Sequence, residues 1–225
     1  MEINYIESEC TLHSRNFFKD HLVEVGFILD QDIPWIPGQF INLSVATKTW
    51  RSYSIVDLKD RIATFLVDLR PGGVGSMFMK DAPIGTRTGF IGPLGRFVID
   101  DPLRDMFFVA TGTGIAPIIP MIKANSYQFI NGKVKLLYGV RFDDEDLLDE
   151  YFDEDDLAKV EVVRCITKSN KSSGIFKGRV TDYISNSFSD LSNNDIFICG
   201  NPVMVVEVVE LTKALGAKNI HTEKY

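Results

Sequence analysis

"FVATGTGIAPIIPMI", residues 108–122, is an apolar run that breaks at Thr-Gly-Thr-Gly and then resumes as apolar. Four small residues between two apolar segments predict a strand, a tight turn and a helix. The flanking sequence repeats the rhythm. "MFFVAT" and "APIIPMIKANSYQFI" are followed by a strand, "KVKLLYGV", and by an acidic segment that offers a helix. A strand "KVEVVRCIT", a short helix "VTDYISNSF", a strand "DIFICG" and a helix "PVMVVEVVELTKALG" complete the series. Strands alternating with helices predict a parallel sheet with helices on both faces, so residues 101–225 read as an α/β domain. Ligands bind beyond the carboxyl ends of the strands in such sheets, which is where the TGTG turn falls. The turn either connects two elements or offers backbone N–H groups to a phosphate; taken by itself it leaves both open.

Residues 1–100 have another rhythm. "LVEVGFIL" (22–29), "QFINLSV" (39–45), "RSYSIVDL" (51–58) and "IATFLVDLR" (62–70) are short and rich in β-branched and aromatic residues. Turn signals separate them, which predicts an antiparallel barrel or sandwich. One helix is expected at "VGSMFMKD" (74–81), and the junction between the halves at "FVIDDPLRD" (97–105).

Composition narrows the function. The 225 residues are 45% apolar and carry a net charge of −7, which disfavours nonspecific nucleic-acid binding. Ten acidic residues fall in "DDEDLLDEYFDEDD" (143–156), whose plain reading is a solvated face. No run of apolar residues is long enough to span a membrane, and the amino terminus lacks the features of a signal peptide; a cytoplasmic protein is expected. The three cysteines (10, 165 and 199) and three histidines (13, 21 and 221) follow no metal-ligand spacing, so no metal or iron–sulfur site is expected. Redox chemistry in this chain therefore needs an organic cofactor.

Three further stretches bear on the turn. "RSYS" (51–54) puts a cation, an aromatic ring and a hydroxyl on one strand. Alternation places Arg51 and Tyr53 on one face and Ser54 on the other, unless the strand bends. "RPGGVGSMFM" (70–79) is a glycine-rich turn that feeds a helix, a second candidate anion cradle. "ICGNPVMV" (198–205) brings Cys199 and Gly200 to the carboxyl edge of the sheet, near the TGTG turn.

Taken in order, "PGQF" (37–40), "RSYS", "PGGVGS", "GPLGRF" (92–97), "TGTGIAP", "CGNPVM" and the terminal "HTEKY" resemble the ferredoxin–NADP reductase superfamily over essentially the whole chain. The resemblance implies an FAD-binding six-stranded antiparallel barrel followed by a domain that binds NAD(P). It implies that Arg51 pairs with FAD phosphate, that Tyr53 packs on the flavin ring and that Ser54 bonds near the flavin nitrogen accepting hydride. Gly73 and Ser76 are then expected at the FAD pyrophosphate, and Thr113 and Gly114 at that of NAD(P). Cys199, with Gly200, is expected beside the nicotinamide. Glu223 matches a carboxylate near the reaction centre, and Tyr225 a terminal aromatic that covers the flavin.

The implied activity is electron transfer from NADPH or NADH through FAD to a small acidic carrier, ferredoxin or flavodoxin. Arg15, Lys19, Lys48, Lys80 and Arg87 are candidates for a basic docking patch. A free-flavin reductase and the reductase component of an oxygenase are alternatives in the same superfamily; a binding module that keeps the fold without hydride transfer is a third. Thr167, Lys168 and Lys171 follow a strand where NADPH-preferring relatives carry a hydroxyl and an arginine. With Arg141 near, this favours NADPH, although lysine lacks the bidentate fork and the acidic run opposes an extra phosphate.

Overall fold

The computed structural model describes residues 5–126 and 134–224. The chain divides into two compact units, Met1–Val98 and Ile99–Tyr225.

The first unit is a closed antiparallel barrel of six strands in the order β1-β2-β5-β4-β3-β6. The strands are β1 (Ile6–Lys19), β2 (Leu22–Leu29), β3 (Phe40–Ala46), β4 (Thr49–Lys59), β5 (Ile62–Asp68) and β6 (Arg87–Leu94). Inward-facing Leu12, Phe27, Leu29, Ile41, Leu43, Ile55, Phe65 and Phe90 fill the interior and are fully buried. One helix, α1 (Val74–Asp81), lies between β5 and β6 and sends Met79 into that core.

Two of these strands are absent from the pattern of the sequence. β1 is fourteen residues long, carries charge on its outward face and shifts register between Leu12 and Ser14 and again between Phe17 and Lys19. Those shifts break the two-residue alternation by which a half-buried strand is recognised. β6 contains Gly89, Gly92 and Pro93, which read as turn punctuation.

The second unit is a five-stranded parallel sheet in the order β11-β10-β7-β8-β9. Its strands are β7 (Asp105–Thr111), β8 (Val134–Val140), β9 (Val160–Ile166), β10 (Asn194–Gly200) and β11 (Asn219–Lys224). Helices α2 (Ile118–Asn125), α5 (Val180–Ser187) and α6 (Pro202–Ala214) connect them. The acidic segment is not one helix. It forms a 3-10 turn, Asp143–Glu145, and two single-turn helices, α3 (Leu148–Tyr151) and α4 (Glu154–Leu157). Ten carboxylates in fourteen residues repel one another along a continuous helix, and the short turns let several of them find partners. Asp146 and Asp149 pair with Arg164, and Asp156 with Lys123. The tail adds β11 beside β10. Among the described residues no helix is long and apolar enough to cross a membrane.

Candidate functional site

In the barrel unit, the RSYS strand and the glycine-rich turn meet. Arg51 and Tyr53 lie on the same face of β4, and both abut Gly75 in the first turn of α1. A Cβ added at Gly75 would stand 2.6 Å from the Tyr53 hydroxyl and 3.1 Å from Arg51 Cγ. A side chain at this position would have to push the Tyr53 hydroxyl aside or hold the helix off β4. Burial lifts the Tyr53 hydroxyl to a pKa of about 12 against the opposing pull of Arg51, so the phenol stays protonated. The Arg51 guanidinium is exposed, with one N–H donated to the Trp50 carbonyl at 2.8 Å. At the start of α1, Gly73 is the N-cap in an extended conformation; no side chain caps this end and no acidic residue occupies the first turn. A helix start with uncapped amides beside a guanidinium is chemically suited to a phosphate. Ser76 sits half-buried in that first turn.

The expected residues do not all converge. Ser54 is buried at 4% exposure, across the strand from Arg51 and Tyr53 and in register with Phe40. A Cβ at Gly73 would meet nothing within 4 Å, whereas one at Gly75 would press on Tyr53 and Arg51. Sequence reading passed over Gly75. Its signal was the third glycine of "GGVG", one helical position beyond the turn.

In the second unit the expected residues gather along the carboxyl edge of the sheet. The TGTG segment is a 3-10 turn, Gly112–Ile115, that leads into α2 rather than a tight turn opening the helix directly. Thr113 accepts the Ala116 N–H within it. Gly114 is buried against β10: an added Cβ would stand 2.5 Å from Gly200 Cα and 2.6 Å from the Cys199 carbonyl carbon. Gly200 has φ +139, and its own Cβ would clash with Thr111. The two glycines thus interlock two loops at the switch point between β7 and β10. Thr111 completes the link by accepting the Asn201 N–H at 3.1 Å, a role not read from the sequence. Asn201 in turn caps α6, accepting from Val203 N–H at 2.9 Å. The α6 amides are therefore taken up internally, whereas no side chain caps the TGTG turn.

Cys199 is fully buried and stands opposite Glu223 in the β10–β11 register, so these two candidates are brought together. Two residues earlier on the same strands, Phe197 stacks on His221 with centroids 4.5 Å apart and planes within 9°. That stack lies in the same register that aligns Cys199 with Glu223. Burial pushes the thiols of both Cys10 and Cys165 up to about 12, so neither is a thiolate at neutral pH. Tyr225 lies outside the described residues.

Lys168 lies beyond β9, with its backbone N–H donated to the Arg141 carbonyl at 2.8 Å. Its Nζ lies 5.7 Å from the centroid of Phe142, and the Arg141 guanidinium carbon 5.3 Å. Two cations thus share one half-exposed ring, and Phe142 was not foreseen. The neighbouring acids build this loop pair. Asp143 accepts from the Ser169 hydroxyl at 2.6 Å and the Asn170 N–H at 3.1 Å, and these bonds, the hydroxyl first, hold its carboxyl below its ordinary value. Glu145 accepts the backbone N–H groups of Arg141 and Phe142.

Two cations of the expected basic patch have partners within the barrel unit. Arg15 donates to the Met79 and Ala82 carbonyls, and Arg87 pairs with both Glu9 and Asp30. Arg15 is half-buried, whereas Arg87 and its two partners are exposed.

Two family models match, in chain order. The oxidoreductase FAD-binding domain covers residues 10–99 and the oxidoreductase NAD-binding domain residues 108–210. The chain belongs to the ferredoxin–NADP reductase superfamily.

Relatives of two kinds are similar to the chain. The toluate 1,2-dioxygenase electron transfer component of Pseudomonas putida is 33% identical over 86% of the chain. The chain spans 59% of that protein's length. Ferredoxin–NADP reductase B of Sorangium cellulosum is 28% identical over 84% of each chain. Among solved structures, a ferredoxin NADP+ reductase from Neisseria gonorrhoeae with bound FAD and NADP superimposes with a TM-score of 0.83 at 19% identity, covering 97% of this chain and 98% of that one. The ferredoxin–NADP reductase fold accounts for both units, the barrel and the parallel sheet.

Proposed function

We propose that the chain is an FAD-dependent reductase that passes electrons from NADPH or NADH to a separate small electron-transfer protein. The observation that carries this reading is the meeting of Arg51, Tyr53 and the uncapped start of α1 around Gly75. That arrangement offers a cation and free amides to the FAD phosphates and an aromatic flank to its ring. In the second unit the interlocked Gly114 and Gly200 leave the TGTG amides for the nucleotide pyrophosphate, with Thr113 in the turn and Cys199 and Glu223 aligned beside it. FAD held by Arg51, Tyr53 and the start of α1 would supply two-electron exchange with a reduced nicotinamide and one-electron exchange with an acceptor. This chain contributes position: Arg51 and Tyr53 flank the cradle, and Cys199 shapes the nicotinamide site without acting as a nucleophile.

The acceptor is a ferredoxin or flavodoxin. A second reading, the reductase component of an oxygenase, is favoured by the likeness to the Pseudomonas putida dioxygenase component. The two are separated by measuring NADPH- and NADH-driven reduction of a [2Fe–2S] ferredoxin, a flavodoxin and an isolated oxygenase terminal component. The proposal requires turnover with one of these carriers above that with free flavin; turnover with free flavin alone would sink it.

NADPH is the proposed donor, on the strength of the Arg141–Phe142–Lys168 cluster. Lys168→Ala removes one of the two cations, and such a charge-assisted contact is worth about 2 kcal/mol, so kcat/KM for NADPH is expected to fall ~30-fold. The value for NADH should stay within about twofold, since the contact is to the 2′-phosphate alone. Equal losses for both nucleotides would remove Lys168 from that role.

A further inference from the structure

Helix α1 is held at both of its ends, and only one end belongs to the proposed cradle. At its start, Gly75 seats against Arg51 and Tyr53. At its finish, Arg15 reaches across from β1, 64 residues away in sequence from Met79. Its Nε donates to the Met79 carbonyl at 2.7 Å and its Nη2 to the Ala82 carbonyl. The last carbonyls of a helix have no partner within the helix, and a guanidinium is both a fork of donors and a charge matched to the negative end of the dipole. Backbone bonds beside the fork tie the following loop to the same strand. Leu12 N–H donates to Thr86 O at 2.9 Å, and Gly85 N–H to Leu12 O at 2.8 Å.

We propose that Arg15 is a positioning residue for the FAD site, one that sets the axial placement of α1 and hence the aim of its N-terminal amides at the phosphate. This rests on the reading of α1 as the phosphate cradle. The helix is eight residues long, about 12 Å end to end, so Arg15 stands a full helix length from the phosphate and acts only through the helix. Hydrogen bonds to phosphate are steep in distance and angle, so a small slip of α1 weakens all of its amides together.

The test is titration of apoprotein with FAD, followed by flavin fluorescence. Arg15→Met should weaken FAD binding about tenfold, the loss of charge-assisted bonds, and Arg15→Lys should recover most of it. Arg87→Met is the control. It removes the same charge from the same barrel by breaking the exposed pairs with Glu9 and Asp30, and its FAD affinity should stay within about twofold of the wild type. In FAD-saturated Arg15→Met, the KM for NADPH should be unchanged.

Arg15→Met within twofold of the wild type, Arg87→Met weakened as much as Arg15→Met, or a KM that rises with the FAD Kd would each overturn the proposal. Should Arg15→Met fail to fold, Arg15→Gln keeps one donor and should weaken FAD about fivefold; no change there would also overturn it. A wild-type apoprotein that takes up no FAD would instead overturn the reading of the cradle itself.

Discussion

Gly114→Ala is expected to lower kcat/KM for the nicotinamide nucleotide about 100-fold while leaving FAD bound. The added methyl would stand 2.5–2.6 Å from Gly200 Cα and the Cys199 carbonyl carbon, both backbone atoms that no side-chain rotation can move aside. Overpacking against backbone costs about 3 kcal/mol, and each 1.4 kcal/mol is a factor of ten. The strain falls on the loop that carries Thr113 and on the strand end that carries Cys199, so both the pyrophosphate contact and the nicotinamide site shift together. The barrel unit contains neither residue, so the ratio of FAD to protein should equal that of the wild type. Steady-state kinetics with flavin quantification on the same sample checks both parts. A variant with normal kcat/KM would mean that the TGTG turn is a connector.

Arg51→Ala should raise the Kd for FAD about 30-fold, corresponding to about 2 kcal/mol for a charge-assisted hydrogen bond to phosphate. Arg51 also packs its stem beside Gly75, so the alanine variant loses that contact as well as the charge. Arg51→Lys separates the two contributions. Lysine keeps the charge and part of the stem but loses the planar fork, and its Kd should fall between those of the wild type and Arg51→Ala. Isothermal titration of each apoprotein with FAD gives the comparison. An Arg51→Ala variant within twofold of the wild type would take the guanidinium out of the phosphate site. A lysine variant as weak as alanine would show that the fork, and not the charge, is what binds.

The parts of this molecule that were legible in its sequence are those where local chemistry and tertiary role coincide. α1 was bounded at both ends by its glycines and its aspartate, and β7 by an unbroken apolar run that stops at TGTG. The face-sharing of Arg51 and Tyr53 followed from strand alternation alone, and their contact with Gly75 bears it out. What was not legible depends on partners far away in sequence. β1 bends through two register shifts, and nothing local marks the fourteen polar-to-apolar residues as one strand. β11 has a polar sequence and is ordered by parallel pairing with β10 and by the His221–Phe197 stack.

The candidate sites show the same division. Thr111 and Gly75 were passed over because their importance lies in what stands opposite them, Asn201 and Gly200 in one case and Tyr53 in the other. Arg15 was counted as a surface cation because a sequence gives charge but not the carbonyls that a guanidinium reaches. Asp143 and Glu145 were weighed as repelling a phosphate, yet their carboxylates are engaged in holding the Arg141 and Lys168 loops.

The central claim is that FAD is a resident group of this chain rather than a passing substrate. The most direct test is the visible absorption spectrum of the purified, desalted protein, with the flavin released by heat and identified. The account predicts a yellow protein that carries FAD at close to one per chain, or an apoprotein that takes it up to that ratio. A colourless protein that refuses added FAD, yet consumes NADPH or NADH when free flavin is supplied, would contradict it.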